Sequence, residues 1–397
     1  ILLLIILILF IIIYLINIKY KKTKESLFEY LNYATFTIII LNVVLITSGF
    51  GKKEIQMTPK IKFDKIDKNI FKPNIYFILF DGFAGKKSLQ QFGLNNDWLY
   101  DSMRKLNYYM PDSFSSNYNI TIASLNSILN MNYIDEKKLL PVNQYGMYLK
   151  SFKNISDNNT VRFFEENNYD IYNLSFFDFE HQQKFYHYKS VSSTINIVHH
   201  QFFHNRLIAD LGWKLYSGKY SIFYFYKKLY LNNFYNNNAA LEKCKLISQQ
   251  RTIKPKFVYL HLLMPHAPYY TDSLGKLKSQ KEAYNLSTDS YLNYLKHASN
   301  IMLETAKNIK LNDTNAIIIF LSDHGYHEKN TKKLMLDNIM AIFLPKKINH
   351  KKESLIKIKS AVQLFPVLLN ECFDQKIEVP KESFYNIDEI NNKFIKL

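Results

Sequence analysis

The stretch Asn74-Ile75-Tyr76-Phe77-Ile78-Leu79-Phe80-Asp81, followed by Gly82, governs how the rest of the chain is read. Six consecutive apolar residues rich in β-branched and aromatic types predict a strand buried on both faces. That strand delivers a carboxylate at its C-terminal end, where open α/β sheets place their ligands. A second run, Ala316-Ile317-Ile318-Ile319-Phe320-Leu321, leads into Ser322-Asp323-His324-Gly325. Two strands with one plan, each ending in side chains that can bind a cation, are expected to meet at a single metal site.

The chain has 397 residues, of which 47% are hydrophobic, enough for a sizeable core and against global disorder. Residues 1 to 16 are almost wholly Ile, Leu and Phe, and the first residue is Ile1 rather than Met. The chain is therefore expected to begin inside a membrane helix, with further spans upstream. A signal peptide is the alternative, but no basic region precedes this stretch and no small-residue cleavage site follows it. Residues 33 to 50 are a second uncharged apolar stretch, which makes residues 1 to 50 a transmembrane region of two helices. Lys19, Lys21, Lys22 and Lys24 lie between the two, against Lys52 and Lys53 after the second, so the intervening loop is expected in the cytoplasm and the remainder outside. The implied localisation is a multi-pass protein of the cell membrane with an extracytoplasmic domain.

The formal net charge of +17 comes almost entirely from lysine. No arginine-rich helix, zinc-finger spacing or RNP-like strand accompanies it, so nucleic acid is not an expected partner. Anionic lipid or glycan suits the charge better, beside the plain alternative of a solvated basic surface. Cys244 and Cys372 are the only cysteines. One disulfide and two separate buried thiols are both open. Oligomeric state is not legible.

Residues 51 to 72 read as a polar linker, 73 to 375 as a catalytic domain and 376 to 397 as a polar tail. Within the domain the patterns predict helices over 87–103, 160–167, 285–309 and 360–372, and strands over 106–110, 170–174, 257–260 and 339–344. Residues 176 to 245 are irregular and rich in Tyr, Phe, His and Asn. His181, His187, His199, His200 and His204 there read as ordinary surface and core residues rather than a metal tract.

Asp81, Asp323 and His324 are ligands of the kind that hold zinc or manganese. An Asp-His-Gly tripeptide is weak by itself. Its context adds weight, because a carboxylate at the end of a buried strand is costly to desolvate without a partner. Thr121 opens an apolar helical pattern, Ile122, Leu125, Ile128 and Leu129, and so sits at or near a helix N-terminus. It is either a helix N-cap or a nucleophile activated by the cation, with backbone N–H groups ready for a phosphate or sulfate. His261 and His266, five residues apart around Pro265, suit substrate binding, proton donation or a second metal. His327 is a further substrate-binding candidate.

The succession NIYFILFDG, SNYNITIASLNSIL, FVYLHLLMPHAPYY and IIIFLSDHG resembles the sulfatase-like branch of the alkaline phosphatase superfamily over about residues 73 to 372. Within it, the chain is similar to the membrane-anchored phosphoethanolamine and phosphoglycerol transferases, which include the lipoteichoic acid synthases. The resemblance implies an α/β alkaline-phosphatase-like sandwich, with a central mostly parallel sheet flanked by helices and transmembrane helices ahead of it. It also implies a divalent metal, zinc before manganese, bound by Asp81, Thr121, Asp323 and His324, with Thr121 carrying a covalent phospho-intermediate. His266 falls on a substrate-contacting histidine of the family, and His261 on the histidine five residues ahead of it in the phosphoethanolamine transferases. Formylglycine chemistry is excluded, since Thr121 is followed by Ile122-Ala123-Ser124-Leu125 rather than a C/S-x-P-x-R pattern. Asp81 stands where the characterised transferases usually have Glu, which is nearer to the phosphodiesterase and phosphatase relatives. The domain also lacks the several cysteines common in phosphoethanolamine transferases.

The expected activity is transfer of a phospho-headgroup from a membrane phospholipid donor to an envelope glycan or lipid acceptor. Hydrolysis by the same residues is the alternative, and a non-catalytic membrane-tethered binding protein the second.

Overall fold

The computed structural model describes residues 29–33, 35–37, 39–40, 58–136, 144–186, 231–326, 334–388 and 393–397. The chain divides into two compact units, Ile1–Ile55 and Gln56–Leu397. Of the first unit, the described residues between 29 and 40 are helical. Among the described residues no helix is long and apolar enough to cross a membrane, and the two expected spans lie wholly or largely outside them.

The second unit opens with β1 (Asn74–Asp81), every residue of which after Asn74 is buried. The single helix expected over 87–103 is two, α1 (Lys86–Gln91) and α2 (Asp97–Lys105). Gly93, at a positive φ of 69°, interrupts them. In place of a strand at 106–110 there is one bridge, Tyr109 to Ile342. The short β2 (Phe114–Ser115) precedes α3 (Thr121–Asn130), α4 (Gln144–Ser156), α5 (Asn159–Glu166) and β3 (Asp170–Leu174). Then come α6 (Asn232–Gln249), β4 (Lys256–Pro265), α7 (Gln280–Ala283), α8 (Thr288–Asn312) and β5 (Ala316–Ser322). The series closes with β6 (Asp337–Asn338), β7 (Met340–Phe343), α9 (Leu364–Phe373) and the strands β8 (Tyr385–Asp388) and β9 (Lys393–Lys396).

The main sheet has the order β3-β4-β1-β5-β7. Its first four strands are parallel and β7 alone is antiparallel, which makes the sheet mostly parallel. Because strand side chains alternate, β1 feeds two cores. Ile75, Phe77 and Leu79 pack with α3, α5 and α9, whereas Tyr76, Ile78 and Phe80 pack with α1, α2, α6 and α8. Helices therefore cover both faces, as a parallel sheet requires.

The two cysteines belong to opposite faces, Cys372 to the first core and Cys244 to the second. Both are free buried thiols. The sheet lies between them, so the disulfide reading falls.

Two segments expected to be loosely attached are built into the domain. From Thr58 the supposed linker is anchored: the Thr58 hydroxyl bonds Asn154, the Ile61 N–H donates to Asn159, and Ile66 is buried. The tail folds as the β8–β9 hairpin, with Tyr385 stacked on Tyr118 at 5.3 Å. Tyr118 lies just ahead of α3, so this hairpin buttresses the loop that leads to Thr121.

Candidate metal centre and its cleft

β1 and β5 run in register from Asn74 opposite Ala316 to Phe80 opposite Ser322. Asp81 and Asp323 therefore leave the same sheet edge side by side. By alternation Asp81 follows Phe77 and Leu79 onto the α3 face, and α3 presents its first residue there. Thr121 Oγ1 is 3.5 Å from His324 Nε2. The same nitrogen is 3.4 Å from Asp81 Oδ1 and 3.5 Å from Asp323 Oδ2. One ligand atom from each of Asp81, Asp323 and His324 lies within 4.8 Å of the others, and all three residues are buried.

Thr121 is the first helical residue rather than the N-cap, which is Ile120, and no side chain caps this helix. The capping reading of Thr121 therefore fails, and its hydroxyl is turned to the carboxylates. Ser124, the other hydroxyl near the helix start, is buried and donates to the Tyr118 carbonyl at 2.9 Å.

The surroundings hold these groups in place. Asp323 Oδ1 accepts from the Gly82 and His324 N–H groups at 3.0 and 2.9 Å. His324 Nδ1 donates to the Gly325 carbonyl at 2.8 Å, which leaves the lone pair of the neutral ring on Nε2, facing the carboxylates. Gly82 adopts a φ of +74°, which L side chains rarely take up, so the turn out of β1 calls for glycine. Tyr291 of α8 clamps that turn, accepting from Ala84 N–H and donating to the Gly82 carbonyl, both at 2.9 Å. Ser322 does the same from β5, accepting from Phe83 N–H at 2.8 Å and donating to the His324 carbonyl at 2.6 Å. Neither residue stood out in the sequence, where Tyr291 reads as part of an amphipathic helix.

Electrostatically the cluster is incomplete. Burial, and next the Asp323 charge, push the Asp81 carboxyl from 3.8 up to about 6. Burial raises Asp323 too, but His324, His261 and a hydrogen bond from Thr121 outweigh it and hold this carboxyl below its ordinary value. For His324 burial acts downward, and the two carboxylates reverse it so that the ring's pKa is raised. Asp81 Oδ1, Asp323 Oδ2 and His261 Nε2 are buried with no hydrogen-bond partner. Unpaired buried carboxylate oxygens are expensive. Two carboxylates, an imidazole nitrogen and a hydroxyl turned to one space fit a divalent cation, which removes that cost.

His261 sits opposite Leu79 on β4 and looks into the same space, its Nε2 3.9 Å from Asp81 Oδ2. Tyr259 hydroxyl meets its Nδ1 at 3.0 Å, and the Phe176 and Phe177 rings pack against it. Burial pushes its pKa down to about 3, so the ring is neutral. His266 is exposed instead. It lines a cleft of about 210 Å³ with Gly82, Ala267, Leu286, His324 and Tyr326. His327 lies outside the described residues, as do His187, His199, His200 and His204. His181 borders a separate depression with Glu165 and Asp170, at the start of β3 and so at the opposite end of the sheet.

A family model described as Sulfatase matches residues 73–352. The chain belongs to the sulfatase family. It is thereby an enzyme of the alkaline phosphatase superfamily, in its sulfatase-like branch. No curated protein sequence matches this sulfatase-family chain. Among solved structures, the zinc complex of the C-terminal periplasmic domain of EcEptC from Escherichia coli is similar, with a TM-score of 0.52 and 12% identity over 85% of this chain and 96% of that one. The corresponding domain of the phosphoethanolamine transferase EptC from Campylobacter jejuni has a TM-score of 0.41 and 15% identity, covering 81% and 95% of the two chains. The putative sulfatase yidJ from Bacteroides fragilis has a TM-score of 0.46 and 14% identity, covering 87% and 84%.

Proposed function

We propose that this sulfatase-family chain is a membrane-anchored phospho-headgroup transferase acting through Thr121. The observation that carries the reading is the Thr121 hydroxyl, free of any capping role and 3.5 Å from His324 Nε2 at the carboxylate pair. The N–H groups of Thr121, Ile122 and Ala123 have no partner within their own helix, and the positive end of the helix favours an anion there. A phosphoryl group is the electrophile that suits an alcohol in this setting.

In the first half-reaction the Thr121 oxygen bonds to the phosphorus of a phospholipid headgroup ester, and the phosphorus–oxygen bond to diacylglycerol breaks. The hydroxyl proton leaves to solvent through the cleft, and His266, exposed there, protonates the departing alkoxide. In the second half-reaction a hydroxyl of an envelope glycan or lipid attacks the phosphothreonine, and Thr121 is restored. A divalent cation held by Asp81, Asp323 and His324 would lower the pKa of the hydroxyl and offset the charge on the phosphate. Zinc is the ion we favour, as the Escherichia coli EptC domain was solved with zinc. That relative is a periplasmic domain, and the two apolar stretches in residues 1 to 50 support the same side of a membrane for this chain.

Hydrolysis is the second reading. Asp81, with its shorter side chain, stands where the transferases the chain resembles usually have Glu, and the cleft at His266 is open to solvent. Mass spectrometry of the Thr121 peptide after incubation with phospholipid tests both. A phospho-headgroup adduct that is discharged only by an acceptor supports transfer, an adduct discharged by water supports hydrolysis, and no adduct on Thr121 removes the proposed nucleophile.

A further inference from the structure

Between the end of β4 and the start of α8 the chain leaves the cleft wall and returns to it. Tyr269 N–H donates to the Ala283 carbonyl at 2.8 Å, closing a strap over residues 270–283, and Leu286 lines the cleft mouth just beyond. The strap is a fixed structure. Asp272 Oδ1 accepts from Leu274 and Lys276 N–H at 3.0 and 2.9 Å, Thr271 bridges Leu277, and Lys278 N–H donates to the Tyr270 carbonyl at 2.9 Å. Gly275, at φ +84°, backs against the His297 ring of α8, where a Cβ would stand 2.7 Å from Cε1. Ser279 and Glu282 form a capping box over α7.

From this ordered strap and the residues just after it, four large apolar side chains face solvent. Leu274 at the tip is 90% exposed, Leu286 62%, Leu277 44% and Tyr284 37%. Scattered exposed leucines need no explanation, but four large apolar side chains within thirteen residues at the lip of a cleft do. Charge completes the pattern. Lys276 and Lys281 are exposed beside them, and the two carboxylates of the strap are held by its own groups, Asp272 by backbone N–H groups and Glu282 by the Ser279 hydroxyl and N–H.

We infer that this strap is a lipid-contact element: Leu274, Leu277, Tyr284 and Leu286 enter the interfacial region of a bilayer, and the lysines rest on anionic headgroups. Apolar residues flanked by lysine are the composition that binds such interfaces, and the strap starts and ends at the cleft that would receive a headgroup. For its purpose the inference rests on the phospholipid-donor reading, whereas its test does not.

The full chain is reconstituted into vesicles of phosphatidylglycerol and phosphatidylethanolamine, with a bimane label at Leu274→Cys or, as a control, at Ile253→Cys. Ile253 is fully exposed just ahead of β4, at the sheet end away from the cleft, and both native cysteines are buried, so labelling is selective. Lipids brominated in their acyl chains should quench the Leu274 label strongly and the Ile253 label little. Equal quenching at the two positions, or none at Leu274, overturns the inference and leaves that surface to a protein or glycan. Leu274→Glu should also lower turnover of vesicle phospholipid several-fold and leave turnover of the water-soluble bis-(p-nitrophenyl) phosphate unchanged. An equal loss on both substrates overturns the inference as well. If the unmodified enzyme acts on neither substrate, the activity reading falls, and quenching alone decides the surface.

Discussion

The two ends of β1 and β4 carry buried polar clusters of opposite character. At the N-terminal end Lys256 Nζ lies 3.6 Å from Asp313 Oδ2, and the same oxygen accepts from Asn74 Nδ2 at 2.7 Å and from the Tyr76 hydroxyl at 2.9 Å. Lys256 also donates to the Ile247 and Gln250 carbonyls, both at 2.8 Å. That cluster is closed: one cation, one anion, and two further donors on the shared carboxylate oxygen. At the C-terminal end two carboxylates stand together with oxygens lacking a donor. The same strands thus hold a structural ion pair at one end and, at the other, an arrangement that balances only when a cation is added. Buried charge supports a fold when its partner is built in, and marks a site when the partner is left out.

Breaking the open end should show most in activity. Thr121→Ala should lower turnover by on the order of 10³-fold or more, the scale of losing a nucleophile. Its unfolding midpoint should barely move, because Thr121 makes no capping bond. Steady-state assays and a urea titration check the two halves.

Breaking the closed end should do the reverse. Lys256→Met leaves Asp313 without its cation in a buried site and should cost about 3 kcal/mol of stability. The folded fraction should retain its activity per active site, since the pair lies at the far end of the sheet. Equilibrium unfolding and active-site titration would report this.

Asp81→Asn sharpens the contrast, because here removing a charge should stabilise. In the cation-free protein the Asp81 carboxyl rises from 3.8 to about 6, so its contribution is favourable below pH 4 and is lost as pH rises through 6. The variant has no such group. Its advantage should therefore open between pH 4 and 6 and reach about 3 kcal/mol at neutral pH, while catalysis disappears. Chelator-treated samples melted across that range test it, and a variant no more stable than the parent would show that Asp81 finds a partner without the ion. The smallest effect expected is none: reductant should leave the melting temperature unchanged, because Cys244 and Cys372 face opposite cores.

Much of this was legible in the sequence because apolar runs reveal buried strands, and a carboxylate at the end of each reveals where they lead. Asp81, Asp323 and His324 could be grouped on that basis, and Thr121 joined them as the start of a periodic helix. What could not be read were contacts that carry no local pattern. Tyr291, 209 residues from Gly82, looks like core until its hydroxyl is seen clamping the turn. The β8–β9 hairpin reads as a polar tail because its order comes from Tyr118 and Asn117 in a distant segment; Asn117 accepts through its carbonyl from Tyr385 N–H at 2.9 Å. The break between α1 and α2 falls at Gly93, whose positive φ overrides the longer helical period of the sequence. His261 and His266 looked alike as residues, yet one is sealed among aromatic rings and the other exposed in the cleft. That difference is set by the packing of Phe176 and Phe177.

The most direct test of the central claim is the metal content of the purified full chain after zinc or manganese supplementation, measured beside Asp323→Asn. One tightly held divalent ion per chain, lost in the variant, is the result expected. No bound ion in the parent, or the same ion retained by the variant, would contradict it.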